Sequence, residues 1–147
     1  MAIKEQVNMF TPVSMRSANT YRSVGLETSI TGASPHQLVE LLFEALQQSL
    51  ASAKAAIQNG DVPAKARAIN RVIRILEEGL KAGLDAKKGG ELAANLSALY
   101  DYCIFKTTEA NLRNDAALLD EVVRLIQPVA DGWSLIKGEA VVKSYQS

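Results

Sequence analysis

The chain has 147 residues, 48% of them hydrophobic but only 5% aromatic, and its 16 Lys and Arg balance its 16 Asp and Glu. That length suits one domain with a real core, and an apolar complement of Leu, Ala, Val and Ile suits helices. The neutral balance excludes the basic excess of a nucleic-acid binder and the acidic excess of a disordered tail, and a single cysteine permits no internal disulfide.

The first ten residues lack an apolar core of signal-peptide length, and no run of membrane-spanning length is free of charge. The expected setting is the reducing cytosol, with no membrane insertion. Residues 1–33 read as a flexible N-terminal arm or one short helix. Polar residues and Pro12 interrupt the arm, and Tyr21, Val24, Leu26 and Ile30 are its few apolar side chains. Tyr21 and Val24 are the expected anchors of a loosely docked arm, which a partner can displace.

Ser34-Pro35-His36-Gln37 is a helix start. Ser34 can cap, Pro35 loses no needed donor at the first helical position, and Gln37 completes a capping box. The first helix is predicted from Pro35 to Asn59, with Gly60 as its stop. It carries two apolar lines: Leu38, Leu42, Ala45 and Ala56; and Val39, Phe43, Leu46, Leu50 and Ile57. Asp61 can cap a second helix, predicted from Pro63 to Leu84, whose core line is Ile69, Ile73, Leu76 and Leu80. Its opposite side holds Arg67, Arg71, Arg74, Glu77, Glu78 and Lys81, which read as a solvated face.

Asp85 to Gly90 reads as a polar loop. A third helix is predicted from Gly89 to Asn111, apolar on more than one side. Leu92, Leu96, Leu99, Cys103 and Ala110 form its expected core line, Ala93, Tyr100 and Ile104 a second line, and Ala98, Tyr102, Phe105 and Leu112 a third roughly opposite. Such a helix wants neighbours on most sides. A fourth helix is predicted from Ala116 to Ile136, with Asn114 or Asp115 as cap and a kink or early end caused by Pro128. The predicted fold is all-α: an antiparallel up-down four-helix bundle over 34–137, preceded by the arm and followed by a C-terminal tail, 138–147, which reads as frayed, with extension of the last helix through Val141 and Val142 as the alternative.

The chain offers little for catalysis. The single histidine, His36, sits beside a helix cap, where a surface or capping role is expected. A di-iron bundle needs two histidines, a zinc site needs more ligands, and Gly89-Gly90 lacks the Gly-Lys-Ser/Thr of a phosphate loop. Cys103, on its helix's core line, reads as a buried structural thiol. No enzyme activity, catalytic residue, metal or cofactor is expected. What remains is surplus apolar helix face. Two arrangements account for it: a site that takes a partner helix at i, i+3, i+4 and i+7 spacing, or burial by the bundle, the arm and a weak homodimer contact.

Several segments together resemble one family: Ser34-Pro35-His36-Gln37-Leu38-Val39-Glu40-Leu41-Leu42; Lys54-Ala55-Ala56-Ile57 with Gly60-Asp61; Gly89-Gly90-Glu91-Leu92-Ala93-Ala94-Asn95-Leu96; Leu99-Tyr100-Asp101-Tyr102; Ala110-Asn111; and Trp133. With Ala18 and Tyr21 in the arm, their order resembles the flagellar export chaperones that bind flagellin, the FliS family. The chain departs from the family pattern at Phe43-Glu44-Ala45 and at Phe105-Lys106-Thr107. The resemblance implies a cytosolic chaperone that binds the C-terminal helical segment of flagellin, prevents its premature polymerisation and delivers it to a flagellar export gate component. Under that reading the expected groove residues are Leu42, Tyr100, Tyr102, Ile104, Phe105, Leu119 and Ile126, each with a place in the bundle core as the alternative. A helical adaptor or self-assembling structural bundle is the competing function.

Overall fold

The computed structural model describes residues 33–146, with side-chain environments for 33–136. The proposed arm, with Tyr21 and Val24, lies outside the described residues. All the elements described are helical: α1 (Pro35–Asn59), α2 (Val62–Arg74) running on into a π-helical segment (Ile75–Lys81), α3 (Ala86–Arg113) and α4 (Ala116–Gln146).

Local chemistry sets most of the ends. The Ser34 hydroxyl accepts from the Gln37 N–H at 3.1 Å, and the Ser34 N–H donates to Gln37 Oε1 at 2.8 Å, closing the capping box. Gly60 ends α1 in the left-handed region at φ 67°, and the next N–H, of Asp61, reaches the Ala56 carbonyl at 3.0 Å. The Asp61 carboxylate then accepts from the Ala64 N–H at 3.1 Å and starts α2. Asn114, at φ 51°, ends α3, while Asp115 accepts from the Ala117 N–H at 3.0 Å at the start of α4.

Three boundaries differ from expectation. The second helix stops at Lys81, not Leu84, because its last turns widen into π geometry, in which the Ala82 N–H reaches back five residues to the Glu77 carbonyl. Residues 85–90 are not a loop. Asp85 caps a helical turn through the Lys87 and Lys88 N–H groups at 3.0 and 3.1 Å, and the break falls at Gly90, φ 52° and ψ −128°. The fourth helix passes Pro128 and continues to Gln146, through the segment expected to fray. Pro128 and Arg124, whose carbonyl loses its helical donor, are both exposed, so water can take that carbonyl.

The helices form a ring in chain order. α1 packs on α2 and α4, and α3 packs on the π segment, on α4 and on α2. The core runs through Leu42, Leu46, Leu50, Val72, Leu76, Leu80, Tyr100, Leu119, Val122 and Ile126. Contrary to expectation, α1 is the surrounded helix, with eleven buried residues against five in α3. In α3 the buried line is Ala93, Tyr100, Cys103, Thr107 and Ala110. It shares Cys103 and Ala110 with the predicted core line but is turned from it by about 40°, leaving Leu92 exposed and Leu99 half-buried.

Gly90 and Gly132 test these backbone assignments with opposite signs. An added Cβ meets nothing within 4 Å at either position. Gly90→Ala is expected to lower the unfolding free energy by about 1–3 kcal/mol, because only glycine tolerates that φ and ψ. Gly132→Ala, inside α4, is expected to raise it by roughly 0.5–1 kcal/mol. Urea denaturation of the two variants measures both.

Candidate functional site

Successive residues of a helix are turned by about 100°, so residues at spacings of three, four and seven share a face. On α3 this collects Ala94, Ala98, Tyr102, Phe105 and Leu112 into one line, directly opposite the buried Tyr100, Cys103 and Thr107. All five are exposed, Phe105 at 62% and Leu112 at 78%. From Tyr102 to Leu112 the line spans about 15 Å. Neighbouring charges are paired with one another: Lys106 with Glu109 at 3.3 Å, Glu109 with Arg113 at 3.5 Å, and Lys81 with Asp101 at 2.6 Å. The Lys106 ammonium also stands 5.5 Å from the centre of the Tyr102 ring. The Tyr102 hydroxyl donates to the Glu121 carboxylate on α4, and that bond raises the tyrosine's pKa above its ordinary value.

The expected groove residues separate into two groups. Tyr102 and Phe105 lie on the exposed line. Leu42, Tyr100, Leu119 and Ile126 are buried in the core. The reason is the ring topology: α1 and α4 each use a broad apolar arc to face two neighbours, so width alone does not mark a spare face. Ile104 is half-buried against the core and lies about 160° round α3 from Tyr102. Leu112 belongs to the exposed line; its place on the third apolar line of the wheel was the available signal.

A further feature sits at the other end of α3. An open cleft of about 440 Å3 lies between the end of the π segment and the first turns of α3, lined by Glu77, Lys81, Ala82, Ala93, Ala94 and Ser97 among others. Ala94 belongs to both the cleft and the exposed line.

His36 is buried, not at the surface. Its ring stacks on Trp133 with centroids 4.5 Å apart and planes 6° from parallel. The indole N–H donates to the His36 carbonyl at 3.0 Å, and His36 Nε2 lies 2.7 Å from the Trp133 carbonyl, so Nε2 carries a proton. The pair ties the start of α1 to the late part of α4. No local spacing in sequence could reveal it, since the partners are 97 residues apart.

Cys103 is a buried free thiol. Burial pushes it up to about 12, and the Glu121 carboxylate adds in the same direction. Such a thiol is a poor nucleophile and ligand. Among the described residues no group of three or more His, Cys, Asp and Glu could hold a metal ion. No helix among them is long and apolar enough to cross a membrane.

The fold defines an all-α four-helix bundle with a closed core and one exposed apolar helix line. The comparisons with known proteins narrow this class. The family model described as "Flagellar protein FliS" matches residues 17–140. The flagellar secretion chaperone FliS of Salmonella typhimurium is 47% identical over 120 residues, covering 82% of this chain and 89% of that protein. FliSB of Pseudomonas aeruginosa is 40% identical over 119 residues, covering 81% and 94%, and FliS of Escherichia coli K12 is 35% identical over 118 residues, covering 80% and 87%. The chain belongs to the FliS family of flagellar secretion chaperones, which is a chaperone family and not an enzyme family.

The buried thiol predicts alkaline behaviour. A raised folded-state pKa means that folding favours the protonated form, so its contribution is complete below the ordinary 9.0 and is lost as pH rises towards about 12. Burial raises the Tyr100 hydroxyl above its ordinary 10.0, in the same sense. Cys103→Ala is therefore expected to flatten, without abolishing, the loss of stability above pH 9.0 in a series of denaturation curves.

Proposed function

We propose that this chain is a cytosolic export chaperone that binds the C-terminal helical segment of flagellin, prevents its premature polymerisation and delivers it to the export gate. The observation that carries this reading is the exposed line of Tyr102, Phe105 and Leu112 in a chain of the FliS family. Each large apolar side chain left in water forgoes about 1.5–3 kcal/mol, so a contiguous line of them favours a partner that covers it. A line of about 15 Å accommodates roughly three turns of a docked amphipathic helix. A flagellin segment that assembles through its own apolar helix faces has the chemistry to lie there, and masking those faces blocks assembly.

Tyr102 and Phe105 are the proposed anchors, with Leu112 extending the line. Leu42, Tyr100, Leu119 and Ile126 act from beneath, by holding the helices that carry it. In the same reading Tyr21 and Val24 anchor the N-terminal arm until cargo displaces it, as their isolation among polar residues suggests. Deletion of the residues before Thr31 is then expected to change flagellin affinity.

The direct test is co-purification with flagellin, intact and C-terminally truncated. Capture of the intact protein alone supports the proposal, whereas capture of both, or of neither, overturns it. Phe105→Ser is expected to reduce flagellin affinity at least tenfold, a loss of about 1.4 kcal/mol, while unfolding free energy changes by less than about 0.5 kcal/mol. A matching loss of stability would instead place Phe105 in the fold. The competing reading, a helical adaptor or self-assembling bundle that masks the line with its own copies, predicts concentration-dependent self-association in sedimentation and no preference for flagellin.

A further inference from the structure

We infer that Glu121 is a positioning residue for the docking line: from α4 it holds Tyr102 of α3 in the orientation a partner helix meets. The inference rests on the reading that Tyr102, Phe105 and Leu112 form a docking surface. Phe105 and Leu112 are exposed apolar side chains on the same line. Tyr102 differs from them, being tethered at both its ends. Its backbone belongs to α3, and its hydroxyl donates to the Glu121 carboxylate 19 residues further along. The Lys106 ammonium, one turn along α3, stands over the ring at 5.5 Å and is itself held by Glu109 at 3.3 Å. The ring is thus confined between an anion at its rim and a cation at its face, yet 42% of the residue is open to solvent.

An exposed aromatic ring without such contacts exchanges rotamers freely, and ordering it on binding costs affinity. A ring already held avoids that cost. The hydroxyl is engaged within the chain, so its contribution to binding is indirect: it fixes where the ring lies. The Glu121 bond raises the Tyr102 pKa, which supplies a signature of the tether that needs no partner. Had the contact served only to staple α3 to α4, its loss would register in stability and not in affinity.

A double-mutant cycle read by flagellin binding tests the inference, with purified intact flagellin as the probe. Tyr102→Phe and Glu121→Ala are each expected to weaken binding roughly threefold to tenfold, and the double variant no further than either single one, since one bond is being removed. Glu121→Gln, which still accepts the hydroxyl, is expected to recover most of the loss. In ultraviolet titration of the chaperone alone, Glu121→Ala is expected to move one tyrosine ionisation to lower pH. The inference is overturned if the two single losses multiply, or if Phe105→Ser weakens binding while Glu121→Ala does not. If Phe105→Ser also leaves binding intact, the docking reading itself falls. Melting temperatures of all variants separate these outcomes from loss of the fold.

Discussion

Leu42, Leu46, Leu50 and Ala53 run along α1 with almost no surface in water, and the burial of this helix on two sides is the constraint from which the rest of the molecule follows. A helix with one neighbour needs one apolar stripe; α1 carries two, and meets α2 on one side and α4 on the other. Once α2 and α4 are set against α1, α3 closes the ring by resting on α4, on the π-helical end of the second helix and on α2. That arrangement gives α3 one buried face and leaves the opposite face outside. The exposed apolar line is thus a product of topology acting on a helix that is apolar on more than one side.

The backbone departures serve this closure. Within the widened turn at Ile75–Lys81, Ile75, Leu76 and Leu80 are all buried in the core. At Gly90 the capped turn that starts at Asp85 changes direction into the long body of α3. The stacked His36 and Trp133 rings tie α1 to α4, and their reciprocal bonds satisfy a ring nitrogen and the indole N–H that would otherwise be buried without partners.

Function in such a bundle resides in surface that the core does not need. Lys54 pairs with Asp120, Lys81 with Asp101 and Lys106 with Glu109, and the one thiol is buried and protonated at neutral pH. What distinguishes the outer face of α3 is apolar area held in a fixed register, with Tyr102 restrained from both rim and face. A rigid helix line of this kind suits recognition of another helix, where affinity comes from covering side chains and specificity from their spacing.

The helical class, the caps at Ser34, Asp61 and Asp115, and the stop at Gly60 were legible in sequence, because each depends on residues within a few positions of one another. The family was legible too, from the order of short segments along the chain. The three apolar lines of α3 could be drawn on a wheel, but which line faced inward could not, since Leu92, Tyr100 and Tyr102 are all apolar enough to be buried. Burial is decided by the position of neighbouring helices, which one helix's periodicity does not contain. The same limit applies to Leu42, Leu119 and Ile126, whose wide arcs look like spare surface until two neighbours occupy them, and to His36, whose partner lies at the far end of the chain. The sequence by itself therefore determined the helices, their caps and the family. Only the tertiary structure decided which side chains of α3 hold the bundle together and which stay exposed, because burial depends on where the neighbouring helices lie.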